Sequence, residues 1–182
     1  MARRRLSTLL FALGLALVLA ALGQYGFMAL RQRQLLRQWN QLGAPVSGAA
    51  PSRYAPGLRL IIPGIHLDAA VVRGTSYRDL LIAPGLLAGS ALPGGRGNTI
   101  IAGHRDTFFR HLNELHPGDA IEVQSRGRAF DYRVTGRAIV KPSDTWVLAN
   151  TRSPRLTLVT CYPTYWLGPA PDRLIVTAAP VR

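Results

Sequence analysis

One cysteine, one lysine and nine acidic residues are all that these 182 residues hold of thiol, ammonium and carboxylate. A single thiol closes no internal disulfide, so packing has to hold the fold together. The lone lysine, Lys141, leaves arginine to supply 21 of the 22 basic side chains. Arg3, Arg4, Arg5, Arg31, Arg33 and Arg37 flank an N-terminal apolar run, which leaves sixteen basic against nine acidic residues, a net of +7, over the rest. Those sixteen are scattered through strand-like and turn-like stretches with no lysine block or aromatic platform, so a nucleic-acid partner is not expected. A moderately basic surface suits an anionic membrane or cell envelope. There is no internal repeat, and the length fits one domain with an appendage.

What is present begins with that run. From Leu6 to Leu30, LSTLLFALGLALVLAALGQYGFMAL carries no formal charge over 25 residues. At about 1.5 Å per residue it is long enough to cross a hydrocarbon core of about 30 Å. A cleaved signal peptide is the competing reading, but its apolar region usually runs only about 7 to 15 residues, and LAALG is the one hint of a cleavage site here. Residues 1–38 are therefore expected to form a basic segment, a transmembrane anchor and a juxtamembrane helix. That helix places Leu35, Leu36 and Trp39 on one side, near the lipid headgroups. Residues 39–57, rich in Gly, Pro, Ser and Ala, read as a linker, and residues 58–182 as the folded domain. Arginines stand on both sides of the span, yet Arg3 to Arg5 with the α-amino group slightly favour an inside N-terminus. The expectation is a single-pass protein of the cytoplasmic (inner) membrane with its folded domain on the extracytoplasmic side.

From Leu58 onward short apolar runs alternate with turn signals, leaving little room for long helices. LRLIIPGI and LDAAVV read as strands joined around Pro63-Gly64, and TSYRDLLIA as a short helical piece ending at Pro84-Gly85. A strand covers Asn98 to Gly103, others lie in HPGDAIEVQ and in RAFDYRVTGRAIVK, with a bulge at Gly136, and RLTLVTC and DRLIVTAA complete the set. About eight short strands with one or two short helices predict a mainly β domain, a closed eight-stranded barrel that leaves no exposed edge.

Chemistry concentrates where strands end. Cys161 closes RLTLVTC, His104 follows the buried-looking strand NTIIAG, and Arg173 opens DRLIVTAA. If the strands carrying Cys161 and Arg173 are neighbours, thiol and guanidinium reach one rim, while His104 needs the fold to bring it there. The three residue types suit covalent acyl transfer. A thiolate attacks an amide carbonyl, an imidazole carries the proton that the leaving amine needs, and a fixed guanidinium stabilises or positions the oxyanion. A neighbouring His⁺ or Arg lowers the pKa of a thiol. The sequence leaves open whether Cys161 and His104 rest as an ion pair or as two neutral groups.

At these residues the chain resembles a known family. TLVTC matches the TLxTC motif of sortases, membrane-anchored cysteine transpeptidases, and the His of AGHRD and the Arg of DRLIV stand in the family's order. The similarity covers most of Leu58 to Ala179, including ALPGGRGNTIIAGHRDTFF, LHPGDAIEV and PRLTLVTCYP. It implies an eight-stranded barrel, catalytic Cys161, His104 and Arg173, and recognition of a substrate protein through a C-terminal LPXTG-like sorting signal. It further implies a thioester on Cys161 and release by an amine acceptor (a cell-wall peptide, a protein lysine or similar) or by water, without a cofactor. The short GHRD region and the lack of long insertions look most like the compact class D or Gram-negative groups. Asp106, Glu114 and Asp119 do not match a calcium loop, so metal activation is not carried over.

Plainer readings stand beside these. A lone cysteine is usually a small core hydrophobe, an assignment outweighed here by TLVT before it and by the His and Arg in register. Arg173 has a structural alternative in pairing with Asp172. Thr160 either positions the cysteine or offers a hydroxyl to substrate, and strand packing explains it equally well. Tyr162, Tyr165 and Trp166 lie between cysteine and arginine, where a hydrophobic substrate wall and ordinary loop packing both fit. His66 with Asp68, and His111, Glu114 and His116, are spaced awkwardly for a metal, so no metal site is expected. Two other function classes fit the composition. One is a different envelope cysteine transpeptidase, such as an L,D-transpeptidase, whose cysteine motif is arranged differently; the other is a non-catalytic anchored binding barrel.

Overall fold

The computed structural model describes residues 2–41, 57–125 and 127–181. Helix α1, Ala2–Gln41, is one continuous 40-residue helix. It contains no proline, and leucine and alanine, both strong helix formers, dominate it. Its first part is apolar on every side and exposed, as at Leu9, Phe11 and Leu17. One window of it has mean hydropathy 2.3, long and apolar enough to cross a membrane. Of the linker expected over 39–57, residues 39–41 belong to α1, residue 57 precedes the first strand, and 42–56 lie outside the described residues.

Eight strands follow: β1 Leu58–Ile62, β2 Leu67–Arg73, β3 Gly85–Leu86, β4 Asn98–Ala102, β5 Ala120–Ser125, β6 Arg128–Val140, β7 Arg155–Tyr162 and β8 Asp172–Pro180. They close into a barrel in the order β1-β2-β3-β4-β7-β8-β6-β5, with β5 returning to β1. Alternation explains the short strands: Leu58, Leu60 and Ile62 point inward from β1, while Arg59 faces out and pairs with Asp68 at 2.6 Å. Ile101, Ile121, Tyr132, Leu156, Leu158 and Val176 meet these residues in one core. The bulge expected at Gly136 is present, as a register shift between Val134 and Gly136 where β6 pairs with β8.

β3 is the element the sequence reading passed over. It has two residues, too few to show a period, and exists because Val72 and Arg73 of β2 pair with it on one side and Ala102 and Ile101 on the other. The helical piece before it shrinks to α2, Tyr77–Leu80, opened by a capping box. There the Ser76 hydroxyl accepts from the Asp79 amide at 3.4 Å and the Asp79 carboxylate accepts from the Ser76 amide at 3.0 Å.

Because β3 is so short, part of β2 has no strand neighbour on the side away from β1, and α1 covers it. The Gln32 side chain acts as a surrogate peptide group: its Nε2 donates to the Ala70 carbonyl at 3.2 Å and its Oε1 accepts from the Ala70 amide at 3.1 Å. Nε2 also donates to the Ile82 carbonyl at 3.2 Å. Leu35 packs with Ala70, Val72 and Ala83, and Leu36 joins from the margin. The apolar side of the juxtamembrane stretch, expected near headgroups, therefore faces the barrel at Leu35 and Leu36. An aliphatic pocket beside an open sheet edge gives those leucines a dry partner that headgroups do not offer.

Candidate active site

Three neighbouring strands of the barrel, β4, β7 and β8, send their ends to one rim. β4 and β7 are parallel, with Ala102 beside Val159. The pairing continues one step past the strand, where the Gly103 amide donates to the Val159 carbonyl at 3.0 Å, so His104 leaves β4 alongside the cysteine end of β7. β8 is antiparallel to β7, with Cys161 directly opposite Arg173. Directly opposed residues of an antiparallel pair project from the same face with Cβ atoms about 4.5–5.5 Å apart. The fold thus gathers all three expected chemical residues on adjacent strand ends, from positions 104, 161 and 173.

Thr160, a residue read either as a positioning group or as a substrate contact, is buried, and its Oγ1 donates to the Gly103 carbonyl at 2.8 Å. This hydroxyl ties the residue before the cysteine to the residue before the histidine. Gly103 has its own constraint, since a Cβ there would lie 2.7 Å from the buried Phe109 ring. Cys161 is a free, half-buried thiol. Arg173 donates through Nη1 to the carbonyls of Ala170 (3.2 Å) and Asp172 (2.8 Å). The Asp172 carboxylate instead receives the Lys141 ammonium at 2.6 Å, so the guanidinium is not consumed by a pair with its neighbour.

His104 is mostly withdrawn from water. Burial holds its pKa below the ordinary 6.5; Asp106 opposes that shift and Arg105 reinforces it. Its ring meets the edge of Tyr77 with centroids 5.6 Å apart. Its Nε2 is buried and has no hydrogen-bond partner among the described residues. An imidazole in this setting is neutral over much of the physiological range and retains an acceptor or donor nitrogen for proton transfer.

The remaining candidates divide. Tyr162 packs against the main core. Tyr165 is exposed, with the Arg110 guanidinium 5.8 Å from its ring centroid. Trp166 is half exposed, and its Nε1 donates to the Pro169 carbonyl at 3.1 Å. The outer two aromatics therefore stand on the loop surface and the first belongs to the barrel.

Sequence reasoning missed Arg105. This buried guanidinium reaches into the β7–β8 loop and donates to the carbonyls of Pro163 (3.3 Å), Trp166 (2.8 Å) and Gly168 (2.8 Å). It fastens the loop after Cys161 to the residue after His104. The available signal was its place beside His104, but an arginine among charged neighbours in HRD reads as solvated until the loop carbonyls are seen. Among the described residues no group of three or more His, Cys, Asp or Glu could hold a metal ion.

Known proteins share this arrangement of strands. A family model described as the sortase domain matches residues 60–181. Sortase D of Bacillus subtilis is 35% identical over 118 residues, covering 64% of this chain and 60% of the relative. The chain thus spans about 60% of the length of that curated relative. Sortase C-1 of Actinomyces oris is 34% identical in its crystal structure, with TM-score 0.64 over 69% of this chain and 73% of the other. A sortase D5 transpeptidase of Clostridium perfringens superposes with TM-score 0.73 over 84% of this chain and 99% of the other; at 23% identity this likeness speaks to the fold.

Proposed function

Since the chain belongs to the sortase family and is class D-like, we propose that it is a membrane-anchored cysteine transpeptidase whose working groups are Cys161, His104 and Arg173. The observation that carries this reading is the placement of Cys161 opposite Arg173, with His104 leaving the adjacent parallel strand. Cys161 Sγ attacks the scissile carbonyl carbon of an LPXTG-like sorting signal while its proton passes to His104. The Arg173 guanidinium steadies the oxyanion of the tetrahedral intermediate. Collapse breaks the C–N bond, His104 returns the proton to the departing amine, and a thioester remains on Cys161. An amine acceptor then attacks that thioester, forming the new amide and restoring the thiol; water in its place gives hydrolysis. Thr160 holds the cysteine end of β7 in place through its bond to the Gly103 carbonyl. The apolar helix is the anchor, crossing once, and Arg3 to Arg5 keep the N-terminus inside so that the barrel works outside the cytoplasm.

Mass spectrometry of the full chain in detergent, incubated with LPXTG-like peptides, tests the reading. The expected product is an acyl adduct on Cys161 that an amine discharges and that Cys161→Ala abolishes. Adducts formed only with peptidoglycan stem peptides replace the substrate class with that of an L,D-transpeptidase. Turnover that survives in Cys161→Ala removes the thioester altogether.

A further inference from the structure

The way α1 lies on the barrel fixes which end of the barrel meets the bilayer. Passing along the helix toward its C-terminus, Tyr25 and Met28, in the last turns of the apolar run, line a cleft with Ile65 and Leu67, then Gln32 bonds to Ala70, and Leu35 packs on Val72 and Ala83. β2 therefore runs from its Leu67 end, beside the apolar part of α1, to its Arg73 end, away from it. Strand pairing carries that polarity around the barrel. β3 is parallel to β2 and β4 antiparallel to β3, so β4 exits at Ala102 back toward the apolar part. β7 is parallel to β4 and β8 antiparallel to β7, which puts Cys161 and Arg173 at that same end.

The loop beyond Cys161 then has an environment to match. Arg110, under whose guanidinium Tyr165 lies, lines the same cleft of about 420 Å³ as Tyr25 and Met28. Beside it, Leu167 is 99% exposed, and the Trp166 indole has its N–H satisfied within the loop by the Pro169 carbonyl. An indole whose donor is already used leaves bulk water at no cost in orphaned polar groups. Trp and Tyr concentrate at membrane interfaces, and arginine there meets lipid phosphate. We propose that the β7–β8 loop, through Tyr165, Trp166 and Leu167, is a second membrane contact that seats in the interfacial layer of the same leaflet from which α1 emerges, so that the rim carrying Cys161 faces the bilayer. The proposal goes beyond the reaction assigned above and rests only on α1 crossing the membrane.

Fluorescence quenching tests it on the full chain in vesicles of phosphatidylcholine and phosphatidylglycerol brominated on the upper acyl carbons. One variant, Trp39→Phe with Trp146→Phe, keeps Trp166 as sole emitter. The other, Trp39→Phe with Trp166→Phe, keeps Trp146, which is exposed near the opposite end, next to Val147 whose carbonyl accepts from Asn98 and Arg155. Brominated lipid is expected to reduce Trp166 emission and leave Trp146 emission unchanged. Equal quenching of the two emitters, or none for either, in vesicles that carry the protein on flotation overturns the membrane contact while leaving the anchor standing; a chain that fails to float overturns both. A spin label on Leu167→Cys in a Cys161→Ala chain gives a second measurement at a fully exposed side chain. Greater accessibility to oxygen than to an aqueous nickel chelate supports the contact, and the reverse order overturns it.

Discussion

Arg173 illustrates how much a single side chain is asked to do. Its Nη1 is held by the backbone carbonyls of Ala170 and Asp172, which fixes the planar guanidinium at the entry to β8. Lysine keeps the charge but not the fork. Arg173→Lys is therefore expected to lower kcat by about 100-fold or more with KM little changed, the range seen when one oxyanion donor is lost; steady-state kinetics with a signal peptide and an amine checks it. His104 makes a different prediction. Its folded pKa lies below the ordinary 6.5, so the unfolded chain takes up its proton first as the pH falls. The stability it contributes is fully present above about pH 6.5 and is lost as the pH falls through its depressed folded value. An NMR titration of the imidazole should have its midpoint below 6.5. Urea unfolding should show a shallower acid loss of stability in His104→Gln than in the parent chain.

Elements are joined at this end of the barrel by two polar staples, and each can be cut separately. Gln32 satisfies both backbone groups of Ala70 on the open edge of β2. Gln32→Leu retains the bulk and strands a buried amide and carbonyl, at a cost of about 1–3 kcal/mol for each unsatisfied group. The expected sign is faster hydrogen exchange at the Ala70 amide, with amides of β7 and β8 unaffected. Arg105 is the second staple, bonded to three carbonyls of the β7–β8 loop. In the chain that keeps Trp166 as sole emitter, Arg105→Gln should free that loop, read as a drop in Trp166 fluorescence anisotropy, while far-ultraviolet circular dichroism reports the barrel intact. Local sequence spells out β7 and β4, whose apolar runs are long, but neither staple. Gln32 lies in a helix that reads as polar and solvated at that point, and its partner, Ala70, is 38 residues away.

At the scale of the whole molecule, the single thiol is its own topology probe. Cys161 is half-buried rather than sealed, and no other cysteine competes for reagent. In intact cells a membrane-impermeant maleimide is expected to label the chain, and prior exposure to a signal peptide to block that labelling; labelling only after lysis places the barrel on the other side. The sequence by itself determined the long apolar helix, the strand-rich domain after it and the residue types at three strand ends, because each is written in a contiguous run: an uncharged stretch, alternating β-branched residues, TLVTC. Only the tertiary structure decided that Cys161 faces Arg173, that β3 closes the barrel, that Arg105 turns inward and that α1 lies along β2. Each of those is a pairing between segments far apart in the chain, settled by strand register and by buried donors and acceptors finding partners, and neither leaves a local periodic trace.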